Sequence, residues 1–292
     1  MKVIVFGGSG FLGSHVADSL SEAGHEVTIF DINESEFLRS DQKLIIGDIL
    51  DRDSIFSAVK GQDVVMNFAG IADLDDATTK PIKTINLNIL GTAHIMDACL
   101  EFDVKRFIYA STIYVHSEKG GFYRCSKQAT EIYIEEYNRK FGLDFTILRY
   151  GTLYGPRSDN RNSIYRYIDN ALNNKEIVCG GTGDEIREYI HVKDAAELSV
   201  KAMNEEYANK HIIITGHHAM RVKDMLNMIL EILNDGVEIK YLNKSSDAHY
   251  NITPYSYKPK YSFKLVNDYY HDMGSGLVDT IHEVSDAKNT IK

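Results

Sequence analysis

The stretch Lys2-Val3-Ile4-Val5-Phe6-Gly7-Gly8-Ser9-Gly10-Phe11-Leu12-Gly13 decides the fold class of this chain. A β-rich apolar run leads directly into glycines that are spaced as GxGxxG from Gly8 and as GxxGxxG from Gly7. The helical pattern LGSHVADSLSEAG follows at once. Glycines let the backbone turn tightly and bring amide groups at a helix N-terminus close to a pyrophosphate. The stretch therefore predicts a strand, a phosphate-binding turn and a helix, which is how a dinucleotide-binding fold opens.

An acidic residue follows these glycines at the spacing that such a fold requires. Asp31 ends the second β-rich run, HEVTIFD, roughly 20 residues past the glycines,. A carboxylate there accepts hydrogen bonds from a ribose diol and repels a 2′-phosphate, so the pattern favours NAD over NADP. A glycine turn beside an unrelated surface aspartate is the alternative, and the strand and helix that flank the turn argue against it.

Short β-rich runs alternate with helical patterns through the first half of the chain. The predicted strands are KVIVF, HEVTIFD, KLIIGD, DVVMNFAG, RFIYAST and DFTILRY, and two long helical stretches cover Thr84–Phe102 and Phe122–Phe141. Such alternation predicts an α/β fold with a Rossmann-type doubly wound parallel sheet. We assign residues 1–155 to an NAD-binding domain, to which residues 176–205 return. We assign residues 156–292 mainly to a smaller C-terminal substrate-binding subdomain.

The composition excludes several classes of function. The chain has 292 residues, 43% of them hydrophobic, and its formal net charge of -10 comes without a basic cluster, so nucleic acid is not an expected partner,. No apolar run approaches the roughly 20 residues of a membrane span, and the N-terminal run is too short for a signal peptide. We therefore expect a cytoplasmic protein without a membrane partner. Cys99, Cys125 and Cys179 lack metal-ligand spacing, so neither a disulfide framework nor a metal site is expected,.

Residues after two further strands lie where open α/β sheets bind ligands. Asp48 follows the third predicted strand, and Ala69 and Gly70 follow the fourth. Because the carboxyl ends of parallel strands meet at one edge of a sheet, these residues are candidates for cofactor contact. Ordinary turn chemistry explains them equally well, and both interpretations stay open at this point.

Tyr123 and Lys127 stand four residues apart in a helical pattern, so their side chains share one helix face,. An ammonium beside a phenol, together with the positive nicotinamide of NAD⁺, favours the phenolate and moves its pKa from about 10 toward neutral pH. Ser111 and Thr112 end the strand RFIYAST at the same predicted sheet edge, where a hydroxyl would orient a substrate hydroxyl. A Tyr-x-x-x-Lys pair alone is common on solvated helix faces, but its place after a dinucleotide loop and a Ser-Thr strand end makes it a candidate catalytic pair.

The ordered series of motifs resembles the extended short-chain dehydrogenase/reductase family, in its NAD-dependent nucleotide-sugar epimerase/dehydratase branch. The similarity covers residues 1–205. The motifs that carry it are GGSGFLGSHVADSL, GDI at 47–49, NFAG, NILGT at 88–92, YAST, Tyr123 with Ser126-Lys127, LRYGTLYGP at 148–156 and GTGDEIREYIHVKD at 181–194. The series in this order is far more specific than any one motif.

The resemblance implies a Rossmann domain with retained NAD and a set of roles for individual residues. The implied catalytic residues are Thr112, Tyr123 and Lys127. The implied cofactor contacts are Gly7, Gly10, Phe11, Leu12, Gly13, Asp31, Asp48, Ile49, Ala69, Gly70, Asn88, Tyr123, Lys127 and Tyr150.

The resemblance also implies a nucleotide diphosphate-sugar as substrate, held by the C-terminal part of the chain. Ser111, Thr152 and Arg187 are the expected substrate contacts, and the forked guanidinium of Arg187 suits a diphosphate. A homodimer is implied as well, in which Thr84–Phe102 and the helix that carries Tyr123, with its Tyr133, Tyr137 and Phe141, pack against their symmetry mates.

Departures from the family pattern narrow the reaction. Family dehydratases follow the threonine with an acidic pair that eliminates water, whereas Ile113 and Tyr114 occupy those places here. Dehydration is therefore disfavoured, and so is sugar-acid decarboxylation, because no acid stands in this stretch.

Two further departures concern the substrate. The span between Thr112 and Tyr123 is shorter than the family usually has, so the loop over the sugar is trimmed. The family's second diphosphate arginine near the C-terminus is missing, because no arginine occurs after Arg221. Lys258 or Lys260 is the candidate substitute.

These observations favour a nucleotide-sugar 4-epimerase that oxidises C4 transiently and returns the hydride to the other face. One alternative is a nucleotide-sugar dehydrogenase or ketoreductase, which would use the same residues for half of that cycle. An alternative of another class is a catalytically inert NAD-binding regulatory protein, against which the intact Tyr123 and Lys127 argue. The identity of the sugar and of its nucleotide cannot be inferred from these residues.

Overall fold

A computed structural model describes residues 1–233, 236–242, 249, 251–254 and 263–290 of the chain. Its strands are β1 (Lys2–Phe6), β2 (Glu26–Asp31), β3 (Gln42–Ile46), β4 (Val64–Asn67), β5 (Arg106–Thr112), β6 (Phe145–Tyr150), β7 (Thr152–Tyr154), β8 (Glu176–Cys179), β9 (Ile186–His191), β10 (Lys210–Ile214), β11 (Ala219–Arg221), β12 (Glu238–Tyr241) and β13 (Phe263–Lys264).

The α-helices are α1 (Phe11–Glu22), α2 (Arg52–Val59), α3 (Leu74–Thr79), α4 (Pro81–Thr84), α5 (Gly91–Glu101), α6 (Gly121–Phe141), α7 (Ser163–Asn174), α8 (Val192–Lys201), α9 (Val222–Leu233) and α10 (Met273–Thr290). A π-helical turn, Ile85–Leu90, joins α4 to α5, and 3₁₀ turns cover Ile113–His116 and Glu205–Tyr207.

A large parallel sheet positions the candidate site. Its strand order is β13-β10-β6-β5-β4-β1-β2-β3, and every pairing within it is parallel. The predicted Rossmann-type fold and its first six strands are confirmed. The chain builds outward from β1 in one direction through β2 and β3, and then in the other through β4, β5 and β6. The order therefore reverses between β1 and β4, and a crevice for a ligand lies at their carboxyl ends.

Helices cover both faces of this sheet, which explains why its strands are apolar along their length. One face packs against α1 and α8 through side chains that include Val16, Leu20 and Leu198. The other face packs against α2, α5 and α6. In β1 the residues from Val3 to Phe6 are completely buried, so both faces of the strand lie in the core.

The long helical stretch at Thr84–Phe102 differs from the continuous helix that its pattern suggests. A π-helical turn at Ile85–Leu90 interrupts it. The carbonyl oxygen of Asn88 accepts hydrogen bonds from the hydroxyls of Thr92 at 2.8 Å and Thr130 at 3.0 Å. Side-chain donors thus supply the bonds that satisfy this carbonyl in the wider turn, which is a tertiary effect that periodicity does not reveal.

A third core lies among the elements of the C-terminal part. It contains apolar residues of α7, α9 and α10, together with Ile177 and Cys179 of β8. Two small sheets flank it, with the orders β11-β9-β7 and β12-β8. However, β10 and β13 join the large sheet, and α8 packs beneath that sheet. The boundaries of the two predicted domains stay a prediction.

None of the helices in the described part of the chain is long and apolar enough to cross a membrane. Within the same residues, no group of three or more His, Cys, Asp or Glu side chains is placed to hold a metal ion.

Candidate active site

The glycine loop after β1 lies at the reversal of strand order. Gly7 has a φ of 77°, and a Cβ built on it would meet the backbone nitrogen of Ala69 at 2.6 Å. A Cβ on Gly13 would meet the carbonyl oxygen of Gly7 at 2.1 Å. Both positions require glycine, because the loop packs backbone against backbone with α1 and with the segment after β4.

The N-terminus of α1 offers its first-turn amides to a ligand. The N-cap residue Gly10 makes no side-chain cap hydrogen bond, so the first turn, which begins at Phe11 and Leu12, is not capped by its own N-cap residue,. A cavity of about 370 Å³ adjoins this turn, lined in part by Ser9, Gly10 and Phe11. Amides at a helix N-terminus stabilise bound anions, so this end of α1 fits a pyrophosphate.

Asp31 lies beside the same loop. One of its carboxylate oxygens accepts a hydrogen bond from the Ser9 amide at 3.0 Å, and the other accepts one from the Asn33 amide at 3.0 Å. A carboxylate has about four acceptor positions, so two bonds leave capacity for a ribose diol. The glycine loop and this acid together fit an adenine dinucleotide without a 2′-phosphate, which is NAD.

Asn88 connects the loop after β4 to helix α6. Its Oδ1 accepts from the Ile71 amide at 2.7 Å, and its Nδ2 donates to the Ser126 hydroxyl at 2.8 Å. Ser126 in turn donates to the carbonyl oxygen of Tyr123 at 2.8 Å. A Cβ on Gly70 would lie 2.4 Å from Asn88 Oδ1, so this contact needs glycine. Asn88 therefore fixes the loop at Gly70 relative to the helix that carries Tyr123.

Asp48 and Ile49 follow β3 at the same edge of the sheet. The Asp48 carboxylate accepts from the amide of Leu50 at 2.9 Å, which is a local turn bond,. Ile49 is buried, and a Cβ on Gly91 would meet its Cδ1 at 2.9 Å. Their contact with a cofactor stays a prediction.

Lys127 is a buried cation next to β5. Its Nζ donates to the carbonyl oxygen of Ala110 at 2.7 Å. Burial lowers the pKa of Lys127 to about 7, against an opposing effect of Glu131,. The ammonium lies 4.6 Å from the ring centre of Tyr109 and 5.9 Å from that of Tyr123. Lys127 thus brings a positive charge within cation–π range of the predicted catalytic phenol.

Tyr114 connects Thr112 to Tyr123. The amide of Tyr114 donates to the Thr112 hydroxyl at 3.3 Å, and the Tyr114 ring packs edge-on against the Tyr123 ring with centroids 6.2 Å apart. Thr112 and Tyr123 are both buried or nearly so. The structure therefore brings Thr112, Tyr123 and Lys127 together around the carboxyl end of β5.

The hydroxyls of two predicted contact residues, Ser111 and Tyr150, bind side chains within the protein core. Ser111 donates to a carboxylate oxygen of Glu131 at 2.6 Å, on the opposite side of β5 from Thr112, since successive residues of a strand alternate between faces,. The Tyr150 hydroxyl is 2.6 Å from the Ser199 hydroxyl beneath the sheet. These geometries do not favour the Ser111 hydroxyl as a substrate ligand or the Tyr150 hydroxyl as a cofactor ligand.

The predicted substrate contacts Thr152 and Arg187 lie on neighbouring strands of one small sheet. Thr152 is in β7, which pairs with β9, and Arg187 is in β9. The Arg187 Nη1 donates to the carbonyl oxygens of Ile186 at 3.0 Å and Asn251 at 3.4 Å. The candidate second cations, Lys258 and Lys260, lie outside the described residues.

Two residues of this region were not singled out by the sequence analysis. Glu131 binds a buried arginine, Arg149, at 2.6 Å, and its position one helical turn after Lys127 was the available signal. His249 Nδ1 lies 2.7 Å from the Tyr114 hydroxyl across 135 residues of chain. No local spacing predicts that second pairing.

A family model described as the NAD dependent epimerase/dehydratase family matches residues 3–216 of this chain. The matched region runs from β1 through β10. It contains the glycine loop, Asp31, Thr112, Tyr123 and Lys127.

Known proteins are similar over most of the chain. A putative UDP-glucose 4-epimerase of Methanocaldococcus jannaschii is 29% identical over 223 residues, which cover 69% of this chain and 73% of that protein. A UDP-N-acetyl-alpha-D-glucosaminuronate decarboxylase of Bacillus cytotoxicus is 29% identical over 268 residues, which cover 82% of this chain and 83% of that protein. The crystal structure of UDP-glucuronic acid 4-epimerase from Bacillus cereus in complex with UDP-glucuronic acid and NAD matches with a TM-score of 0.86 at 23% identity. That match covers 98% of this chain and 100% of the other, which shows a shared fold.

Proposed function

This chain belongs to the NAD dependent epimerase/dehydratase family, and from that premise we propose that it is an NAD-dependent nucleotide-sugar 4-epimerase. One observation carries the proposal. A buried ammonium, Lys127, stands beside the phenol of Tyr123, while the two positions after Thr112 hold no acid. This set of side chains supports reversible oxidation of an alcohol but lacks the groups that would eliminate water.

Tyr123 acts as the acid and base of the proposed reaction. Its phenolate oxygen takes the proton of the sugar C4 hydroxyl and returns a proton when the hydroxyl forms again on the other face. The Lys127 ammonium favours the phenolate, and the Thr112 hydroxyl donates to the reacting oxygen. Bound NAD would supply the acceptor for the C4 hydride and the donor that returns it.

Other residues hold the two ligands. The first-turn amides of α1 receive the pyrophosphate of the cofactor, and Asp31 binds its adenine ribose. Arg187 binds the diphosphate of the nucleotide-sugar, for which a forked set of donors is suited.

The relatives support an epimerase and name a substrate with which to begin. We therefore test the proposal with purified protein and UDP-glucose, and follow the conversion to UDP-galactose by chromatography together with the absorbance of NADH. We expect the stereoisomer to form without accumulation of NADH. Accumulation of NADH without a stereoisomer would identify the dehydrogenase instead, and retention of NAD with no turnover of any nucleotide-sugar would favour the inert binding protein.

We also propose that the protein is a homodimer. Exposed apolar side chains lie on the segment around α4 and on α6, namely Ile82, Ile85, Leu90, Phe122, Ile132, Tyr133 and Phe141. Apolar surface of this kind is typical of a subunit interface. Tyr137 is an exception on the same helix, because its hydroxyl donates to Asp97 at 2.7 Å within the subunit. Light scattering in solution tests the proposal, and a monomeric mass contradicts it.

We place the protein in the cytoplasm. Cys99, Cys125 and Cys179 are all free thiols, as is usual in a reducing compartment. Fractionation of cells that produce the protein tests this placement.

A further inference from the structure

Tyr114 is held against the catalytic phenol by contacts on several sides. Its ring packs edge-on against Tyr123, and its amide binds the hydroxyl of Thr112. Gly120, at a φ of 95°, lies so close to the ring that a Cβ there would be 2.7 Å from Tyr114 Cδ1. Ile113, the residue before Tyr114, is 1% exposed. Of the two positions that carry acids in family dehydratases, Ile113 packs against Ile213, whereas the Tyr114 ring packs against Tyr123.

The Tyr114 hydroxyl has a partner from a distant part of the chain. His249 Nδ1 lies 2.7 Å from that oxygen. Two residues further on, the carbonyl oxygen of Asn251 accepts from the amide of Ile186 at 2.7 Å and from Arg187 Nη1 at 3.4 Å. The amide of Glu188 also donates to the Thr253 hydroxyl at 3.1 Å. Residues 251–253 are therefore fastened along β9 at Arg187.

The length of the chain between His249 and Asn251 limits how far apart these two residues can lie. Two residues of extended chain span at most about 7 Å, so the Cα atoms of His249 and Asn251 are no further apart than that. His249 thus connects the Tyr114 hydroxyl, whose ring packs against Tyr123, with the segment that is bound along β9 at Arg187. In a nucleotide-sugar, the pyranose ring is the part that lies between the reacting C4 and the diphosphate. A ring bound between Tyr123 and Arg187 would therefore lie against the Tyr114–His249 pair.

We propose that Tyr114 and His249 form a wall of the sugar subsite and hydrogen-bond a hydroxyl of the sugar, which makes them specificity-determining residues. This inference rests on the proposed function, because it takes C4 to be at Tyr123 and the diphosphate to be at Arg187.

The charges around the pair indicate which sugars it accepts. Burial lowers the pKa of His249, and the guanidinium of Arg187 acts in the same direction, as does Arg166, while Asp75 and Asp73 oppose them. The imidazole is therefore neutral at pH 7. A phenol and a neutral imidazole offer hydrogen bonds to a hydroxyl but no positive charge to a carboxylate. We expect a hexose to be preferred over a hexuronic acid.

Binding measurements without turnover test this proposal. Protein loaded with NAD and carrying Tyr123→Phe is titrated calorimetrically with UDP-glucose and with UDP-glucuronic acid. The same titrations are repeated after adding Tyr114→Phe, His249→Asn or both substitutions. Tyr269→Phe is the matched control, because Tyr269 is 89% exposed and lies outside the site. Thermal unfolding of each variant shows whether its fold is intact.

We expect each single substitution to raise the Kd for UDP-glucose about tenfold, as loss of one hydrogen bond does. The double variant should bind UDP-glucose no more weakly than either single variant does, because the two side chains contribute to one hydrogen bond with the sugar. UDP-glucuronic acid should bind the parent less tightly than UDP-glucose and should respond less to the substitutions.

Unchanged affinity for UDP-glucose in either single variant overturns the proposal, and so does a parent that binds neither sugar nucleotide. Failure of the proposed function has a different signature. In that case UDP-glucose binding weakens in the variants as expected, but protein with Tyr123 intact makes no stereoisomer.

Discussion

Arg149 and Glu131 form an ion pair that is buried beneath the carboxyl edge of the sheet. Arg149 Nη2 lies 2.6 Å from Glu131 Oε2, and Arg149 Nε donates to Oε1 at 3.0 Å. The two side chains are 0% and 3% exposed. A two-pronged contact of this kind fixes both partners in orientation as well as in distance.

The pair joins α6 to β6, and further contacts of the two side chains reach β5 and β10. Ser111 of β5 donates to the same carboxylate, and His211 Nδ1 of β10 lies 2.8 Å from Arg149 Nη2. Glu131 follows Lys127 by one turn of α6, and Ser111 precedes Thr112 on β5. Thr112 is therefore one residue away from a rigid buried cluster, Lys127 is one helical turn away, and Tyr123 is two turns away.

Replacing one partner of this pair is expected to destabilise the fold. Arg149→Met leaves the Glu131 carboxylate buried without its guanidinium, which costs about 3–5 kcal/mol in such pairs. The double variant Arg149→Met/Glu131→Gln should recover part of that loss, because it removes both buried charges. Denaturant unfolding measures the free energies, and equal stability of the single and double variants would contradict the ion-pair interpretation.

Lys127 is expected to make the stability of the cofactor-free protein rise with pH. Burial lowers the pKa of Lys127 to about 7 in the folded protein, whereas in the unfolded chain it stays near its ordinary value of about 10.4. Between these values the unfolded state binds more protons, so the free energy of unfolding increases as pH rises.

Lys127→Met should remove that contribution. The variant should have a higher free energy of unfolding than the wild type. This difference should be largest at pH 6.5 or below and should shrink as the pH rises to 9. Chemical denaturation at a series of pH values measures it. A difference that does not change with pH would show that Lys127 keeps an ordinary pKa in the folded protein.

Tyr123→Phe is expected to lower kcat strongly without loss of the cofactor. Removing the acid and base of the reaction costs about 10²–10⁴-fold in kcat, while the glycine loop and Asp31 are untouched. Product formation and the NAD content of the denatured protein are the two measurements. Tyr269→Phe should retain full activity as the matched control. A kcat in Tyr123→Phe equal to that of the wild type would assign the proton transfer to another group.

Gly13→Ala is expected to disrupt the cofactor loop. The added Cβ would meet the carbonyl oxygen of Gly7 at 2.1 Å, so loop and helix must move apart, at a cost of about 1–3 kcal/mol. Gly180→Ala is the control, because a Cβ there has nothing within 4 Å. Calorimetric titration with NAD should show much weaker binding for the first variant and no change for the second. Equal affinity in both variants would mean that the cofactor does not use this loop.

Asp31→Asn is expected to reduce the preference for NAD. The substitution removes a charged acceptor for the ribose diol, and loss of one charge-assisted hydrogen bond lowers affinity about 10- to 100-fold. It also removes the repulsion of a 2′-phosphate, so the ratio of NAD to NADP affinity should fall. Titrations with the two cofactors measure that ratio. An unchanged ratio would place the adenine ribose away from Asp31.

The sequence by itself predicts the sheet and the dinucleotide loop because both depend on local patterns. Each of these patterns lies within a short stretch of chain. They are the apolar runs of strand length, the spacing of the glycines and the acid at the end of β2. The helix that carries Tyr123 and Lys127 follows from its own period and from Gly142, at which it ends in a left-handed conformation,. Spacing of four residues then places the two side chains on one face.

Only the tertiary structure decided what the neighbouring side chains bind. Ser111 faces Glu131 instead of the site, Asn88 stands in a π-helical turn, and Tyr114 meets His249 across 135 residues of chain. The direction of a side chain at a strand end depends on which partners the packed helices supply. The periodicity of the sequence does not predict that direction. Contacts between segments far apart in the chain form only when burial of the core brings those segments together.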